Sequence, residues 1–306
     1  MEPEYVTTLR IKKKRDVLDL SRYMKLKKLD CAITKIKHLD VSKCMCLKEL
    51  DCSENQLTEL DLRNCQYLEE MTIDNNEISR LYLGACFYLK TAFISCNRIS
   101  KLDVSDCVNL KELYCFGNEI EVLDVSKCMK LETFQCGGNK LKQLELKDHA
   151  YLKNLECEDN QLTYLGVSGC VNLDLIICDD NKLSWLGMEG CINLVSISCC
   201  GNPLTELNVN TPKIEYIYIM GCPLLTRLSC SNIENVKVIM ERGLDYVHEK
   251  ITVKEAQERI NCRQHSLKRV ARCLQWFATD VFYRPGARGY INAFESFQKR
   301  IKTGFN

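Results

Sequence analysis

Leucine recurs at Leu26, Leu47, Leu68, Leu89, Leu110, Leu131, Leu152, Leu173 and Leu194, always 21 residues apart. Between these positions apolar and polar residues alternate over short stretches. Leu50-Asp51-Cys52 is one such stretch, and Leu60-Asp61-Leu62 follows ten residues later. Strict alternation is the mark of a half-buried strand. Each unit therefore predicts two short strands, with corners at Asn55 and near Cys65, and a 21-residue unit leaves no room for a helix between them. The expected architecture is a repeat solenoid with two parallel sheets of short strands. Each strand should pair with its equivalent one coil away, at ~4.8 Å. Leu47, Leu50, Cys52, Leu57, Leu60, Leu62 and Cys65 should fill the interior. About ten such coils are expected over residues 17–240.

Asparagine keeps the same step at Asn55, Asn76, Asn97, Asn118, Asn139, Asn160, Asn181 and Asn202. At a corner the strand ladder stops and backbone groups need partners. A carboxamide, with two donors and an acceptor, can supply them within its own coil and the next. The eight residues read as a structural ladder rather than a ligand row. Cysteine follows two further columns: Cys31, Cys52, Cys115, Cys136, Cys157, Cys178 and Cys199, then Cys44, Cys65, Cys86, Cys107, Cys128, Cys170 and Cys191. These account for fourteen of the 21 cysteines as small buried hydrophobes. With no apolar core in Met1–Arg10 to make a secretory signal, the thiols predict an intracellular, reducing setting.

The units resemble the leucine-rich repeat family, in its short 21-residue bacterial-type class with the pattern LxxLxCxxNxLxxLDVSxxxx, sometimes called IRREKO repeats. The pattern stands here as Leu110-Lys-Glu-Leu-Tyr-Cys-Phe-Gly-Asn118 followed by Leu123-Asp-Val-Ser126. The resemblance covers about residues 17–238. Departures are local: Thr34 stands in the asparagine column, Ile73 and Ile94 in the first cysteine column, and His149 and Pro212 in the second. A 20-residue unit, marked by Gly201-Asn-Pro-Leu204 and then Gly221-Cys-Pro-Leu224, ends the strict register. The resemblance implies a binding scaffold, usually for protein, and brings no catalytic residues.

Both ends of a solenoid need caps. Residues 1–16 read as a basic lead-in, with Lys12-Lys-Lys-Arg15 as a solvated run, a phosphate-binding run or a nuclear-entry signal. Val17-Leu18-Asp19-Leu20-Ser21 is a half-repeat that could open the array, and Val236–Ile239 reads as a last strand. Residues 241–306 change character. Thr252-Val-Lys-Glu255 is a capping box. Helical spacing then places Leu267, Val270, Leu274 and Phe277 on one helix face, and Ile291, Phe294, Phe297 and Ile301 on another. This segment is expected to be a helical cap or a small interaction module.

Charge is polarised although the net value is +1. Residues 1–29 carry nine Lys/Arg against four Asp/Glu, and residues 241–306 carry thirteen against seven, leaving the middle acidic. That arrangement argues against a nucleic-acid partner, which would favour a continuous basic face. No run of about 18 apolar residues predicts a membrane span. No nucleophile motif, phosphate loop or HExxH occurs, and Gly137-Gly138 reads as a corner. Cys262-Arg-Gln-His265 and Cys44-Met-Cys46 lack a second metal-ligand pair. The expectation is a non-enzyme with no metal, cofactor or small-molecule substrate. The row Asp40, Asp61, Asp103, Asp124 and Glu145 reads as a solvated face with local hydrogen bonds.

Function is expected where outward positions turn apolar, since interfaces favour aromatic anchors. On the first sheet these are Phe93, Tyr114 and Phe116, then Leu175, Ile177, Tyr216 and Tyr218. On the second, Tyr164 and Trp185 are neighbours one coil apart. The late cluster is equally a surface for the C-terminal helices to cover. The chain is expected to be a scaffold binding a protein partner through these faces. The alternative is an intracellular regulator or effector whose C-terminal module recruits a second factor, such as a signalling or ubiquitin-type complex.

Overall fold

The structure is a computed structural model describing residues 3–12, 17–222, 224, 225, 227–230 and 237–239. The helices expected after residue 240 lie outside the described residues. What is described is a β-solenoid with parallel strands; its one helical piece is the 3-10 turn Pro3–Tyr5.

One sheet of twelve parallel strands runs the length of the array, from Thr8–Arg10 through Lys28–Asp30, Glu49–Asp51 and onward to Tyr216–Tyr218 and Lys237–Ile239. Successive strands pair 21 residues apart, as in Leu29 with Leu50 and Leu113 with Phe134. The step shortens to 20 at Leu9 with Leu29 and at Ile197 with Ile217. The first strand thus lies upstream of Val17, inside the basic lead-in. The opposite side of the solenoid is parallel as well but discontinuous. It consists of four strand pairs, such as Glu59–Asp61 with Arg80–Tyr82 and Gln143–Glu145 with Tyr164–Gly166.

The interior follows the apolar columns. All nine leucines of the 21-residue series are 0% exposed. Complete burial of each is worth roughly 1.5–3 kcal/mol. The fourteen cysteines of the two columns are buried with them, and all 19 described cysteines are free thiols. Burial pushes these thiols up, Cys31 to about 12 and Cys44 to about 11, so they are held protonated.

Corners are fixed from within. Asn55 Nδ2 donates to the carbonyls of Cys31, Cys52 and Ser53, while its Oδ1 accepts from the Thr34 and Ile36 amides. Later asparagines repeat the pattern, each binding a carbonyl 24 residues back and an amide 19 residues back. Thr34 closes its own corner through Oγ1, which donates to Cys31 O at 2.6 Å. The residue before each corner asparagine is left-handed, with φ of 52° at Glu54, 55° at Cys96 and 61° at Gly138. Only glycine adopts that conformation without steric cost.

Candidate partner-binding faces

The outward side of the twelve-stranded sheet begins polar. A column of exposed charges climbs it in 21-residue steps. Lys48 and Lys90 reach Glu69 at 2.6 and 2.7 Å, and Lys111 and Lys153 reach Glu132 at 3.1 and 2.8 Å. Exposed pairs of this kind contribute about 0–1 kcal/mol each, so they set charge pattern more than stability.

Aromatic residues then take over. Phe93 and Tyr114 pair in adjacent strands and stack with ring centroids 4.5 Å apart and planes 11° apart. Phe93 and Phe116 are half-buried, and Tyr114 is only 8% exposed. Further along, Leu175, Ile177 and Tyr218 are 4, 5 and 6% exposed. With Cys200 they form an apolar cluster separate from the interior, and half-buried Tyr216 and Met220 pack against it. Tyr114, Leu175, Ile177 and Tyr218 therefore offer no open surface to a partner as the chain stands. Strand alternation puts them on the outward side, but it says nothing of what lies above that side.

Carboxylates surround this cluster. Burial pushes Glu156 and Asp179 up to about 7, and it raises Glu158 as well. Asp179 is satisfied, accepting from Ser198 Oγ at 2.6 Å and from the Cys200 amide at 2.7 Å. Glu158 is not: its Oε2 is buried without a hydrogen-bond partner, as is Ser196 Oγ. Gly137 makes room for Glu158, since a Cβ there would meet Oε1 at 2.7 Å.

On the opposite side the acidic row is structural. Asp40, Asp61, Asp103 and Asp124 each accept from the amide two residues on, at 2.8, 3.0, 3.0 and 2.9 Å, and Glu145 does so from Lys147 at 3.0 Å. Such turns account for the Leu-Asp-Val-Ser wording of the repeat. Hydrogen bonds from the Ser42 hydroxyl and amide hold the Asp40 carboxyl below its usual range. Tyr164 and Trp185 remain open, at 42 and 50% exposure. Tyr164 Oη donates to Glu145 at 2.9 Å and lies over Gly166, while the Trp185 ring lies over Gly187. Trp185 lines an open cleft with Ile192, Glu206, Asn208 and Arg227.

Sequence reasoning missed a third face. Met24, Met45, Phe87, Val108, Met129, Val171 and Ile192 share one column at the corner after the second strand, and all are exposed, from 37% at Val171 to 57% at Met45. Gln66 and Ala150 fill the two remaining places. Tyr67, Tyr88 and Tyr151 flank the column, and Tyr67 stacks on Tyr88 at 5.8 Å. Asn109, Asn172 and Asn193 pin this ridge by donating to the Phe87, Ala150 and Val171 carbonyls, each at 2.7 Å. The signal was the same 21-residue step, hidden because corner residues read as loop. Among the described residues, no group of three or more His, Cys, Asp or Glu is placed to hold a metal, and no helix is long and apolar enough to cross a membrane.

No family model and no curated protein matches the sequence. Solved structures do. The functional domain of InlJ from Listeria monocytogenes, which includes a cysteine ladder, aligns at TM-score 0.68 and 24% identity over 78% of this chain; the chain spans 60% of that domain. YopM, a leucine-rich effector protein from Yersinia pestis, aligns at 0.52 and 24% over 71% of this chain and 62% of its own. The LRIM1/APL1C complex aligns at 0.52 and 19% over 64% of this chain and 44% of its own. These identities speak to fold alone. The 21-residue parallel coil, its asparagine corners and these neighbours make the chain a leucine-rich-repeat β-solenoid.

Proposed function

We propose that this chain is a non-catalytic scaffold that binds a protein partner along its apolar corner ridge, with Trp185 and Tyr164 beside it. The observation that carries this reading is the ridge itself: seven large apolar side chains exposed at one position of the repeat. Scattered exposed hydrophobes are ordinary, but a column aligned coil after coil and broken at Gln66 and Ala150 marks an interaction surface. A rigid backbone holds the row in place, so little conformational entropy is lost on association. The solved LRIM1/APL1C neighbour is a complex, which accords with a protein partner. Phe93 and Phe116 extend the candidate surface onto the sheet. The buried free thiols accord with a reducing, intracellular setting.

The test is affinity capture from the native cell with three baits: the wild-type chain, Phe87→Glu/Met129→Glu, and Tyr164→Ala/Trp185→Ala. Circular dichroism melts establish that each variant is folded. A partner retained by wild type and lost by the ridge variant supports the reading. Identical captured sets from all three baits would refute it.

A further inference from the structure

Burial on the outward side of the late coils needs a cover. Leu175, Ile177, Cys200 and Tyr218 are all at or below 6% exposure, yet every described strand belongs to the coils themselves and none packs across that side of the sheet. The long remaining part of the chain is residues 241–306. It begins beside the cluster, because the last described strand, Lys237–Ile239, pairs with Tyr216–Tyr218. From there to the strand of Glu156 is four coils, or about 19 Å at the usual strand spacing. The helix that the sequence spacing of Leu267, Val270, Leu274 and Phe277 predicts, over about residues 265–279, would be about 22 Å long, enough to cross it.

Charge and polarity match as well. The covered face holds Glu156, Asp179 and the unpartnered Glu158 carboxylate oxygen, with an orphaned Ser196 hydroxyl among them. No described ion pair involves any of the three carboxylates. The C-terminal segment carries thirteen Lys/Arg against seven Asp/Glu and patterns as amphipathic helices. An apolar helix face with basic flanks is the complement of an apolar cluster rimmed by carboxylates.

We propose that residues 241–306 dock in cis on the outward face of the twelve-stranded sheet, over Leu175, Ile177, Cys200 and Tyr218. The segment then occupies the part of the sheet that would otherwise be open to a partner. This inference is independent of the corner ridge, which lies on a different face.

Cys200 is a built-in reporter. In the full chain its modification by a maleimide is followed peptide by peptide in a mass spectrometer. Two perturbations are compared: Ile177→Asp, and cleavage at a protease site inserted after residue 240 followed by added salt. The expected result is protection of Cys200 in the intact chain and an increase of about tenfold or more in its labelling rate after either perturbation. Cys136 and Cys157, sealed in the interior, should stay protected throughout. Three outcomes would overturn the proposal. Cys200 could react at one rate in all samples. Its protection could fall on simple dilution of the intact chain, which would assign the cover to a second copy. Cys136 and Cys157 could become reactive together with Cys200, which would make the segment an end cap of the array.

Discussion

Asn118 Oδ1 accepts a hydrogen bond from the Ile99 amide, nineteen residues earlier, at 3.0 Å, and so ties two coils together inside a corner. Its Nδ2 meanwhile donates to the Ile94 and Cys115 carbonyls at 3.0 and 3.1 Å. One side chain thus satisfies three backbone groups that no strand ladder reaches. Alanine would orphan the buried Ile99 amide and leave the Ile94 and Cys115 carbonyls to the neighbouring ladder residues Asn97 and Asn139 alone. Asn118→Ala should lower stability by roughly 1–3 kcal/mol, the cost of burying unsatisfied polar groups, read as a lower midpoint in urea unfolding. A midpoint unchanged within error would remove the ladder from the stability argument.

Cys170 and Cys136, one from each cysteine column, differ in what a serine would find. Cys170 Sγ donates to the Leu146 carbonyl of the preceding coil at 3.1 Å, and Cys191 does the same to Val167 at 3.2 Å. Cys136 lies fully buried in the other column with no hydrogen bond to its sulfur among the described residues. A hydroxyl at position 170 inherits a partner, whereas one at 136 is buried without one. Cys170→Ser should therefore cost well under Cys136→Ser, for which about 1–3 kcal/mol is expected. Chemical denaturation of the two variants side by side decides the matter, and equal losses would contradict it.

What could be read from sequence was what repeats. The leucines and corner asparagines declare themselves because each coil buries the same group in the same place, so one physical constraint is written many times. Leu175 and Ile177 show where that stops. Alternation places them on the outward side of a strand, but their 4 and 5% exposure depends on residues far away in sequence. Periodicity holds no information about such a cover. The ridge fails for the opposite reason. Met45 and Phe87 repeat as faithfully as the core, yet a corner has no alternation to assign a side. Only accessibility separates an exposed column from a buried one. Asp40 and its column were legible as a row, and the structure adds that each carboxylate is engaged by the amide two residues on.

Buried carboxylates should give the fold an acid-leaning stability profile. Asp179 is 2% exposed, and burial raises it to about 7 despite its hydrogen bonds to Ser198 and Cys200. Burial likewise raises Asp74 and Glu156 to about 7. A carboxyl whose folded pKa lies above its unfolded value binds its proton more tightly when folded. Stability then grows as pH falls through the folded pKa and levels off near the unfolded one, about 4. Glu69 acts in the other direction. Held down to about 2 by Lys48 and Lys90, it adds stability above its ordinary value, which is lost as pH falls from there to about 2. That site is exposed and its contribution small. The melting temperature should therefore be higher near pH 5.5 than near pH 8 and should fall again below about pH 4. Asp179→Asn, which cannot ionise, should flatten the rise between pH 8 and 5.5. Melting curves followed by circular dichroism across this range provide the check. A melting temperature that falls steadily from pH 8 to 5.5 in the wild-type chain would show that these carboxylates are ionised in the folded protein, with cations neutralising them.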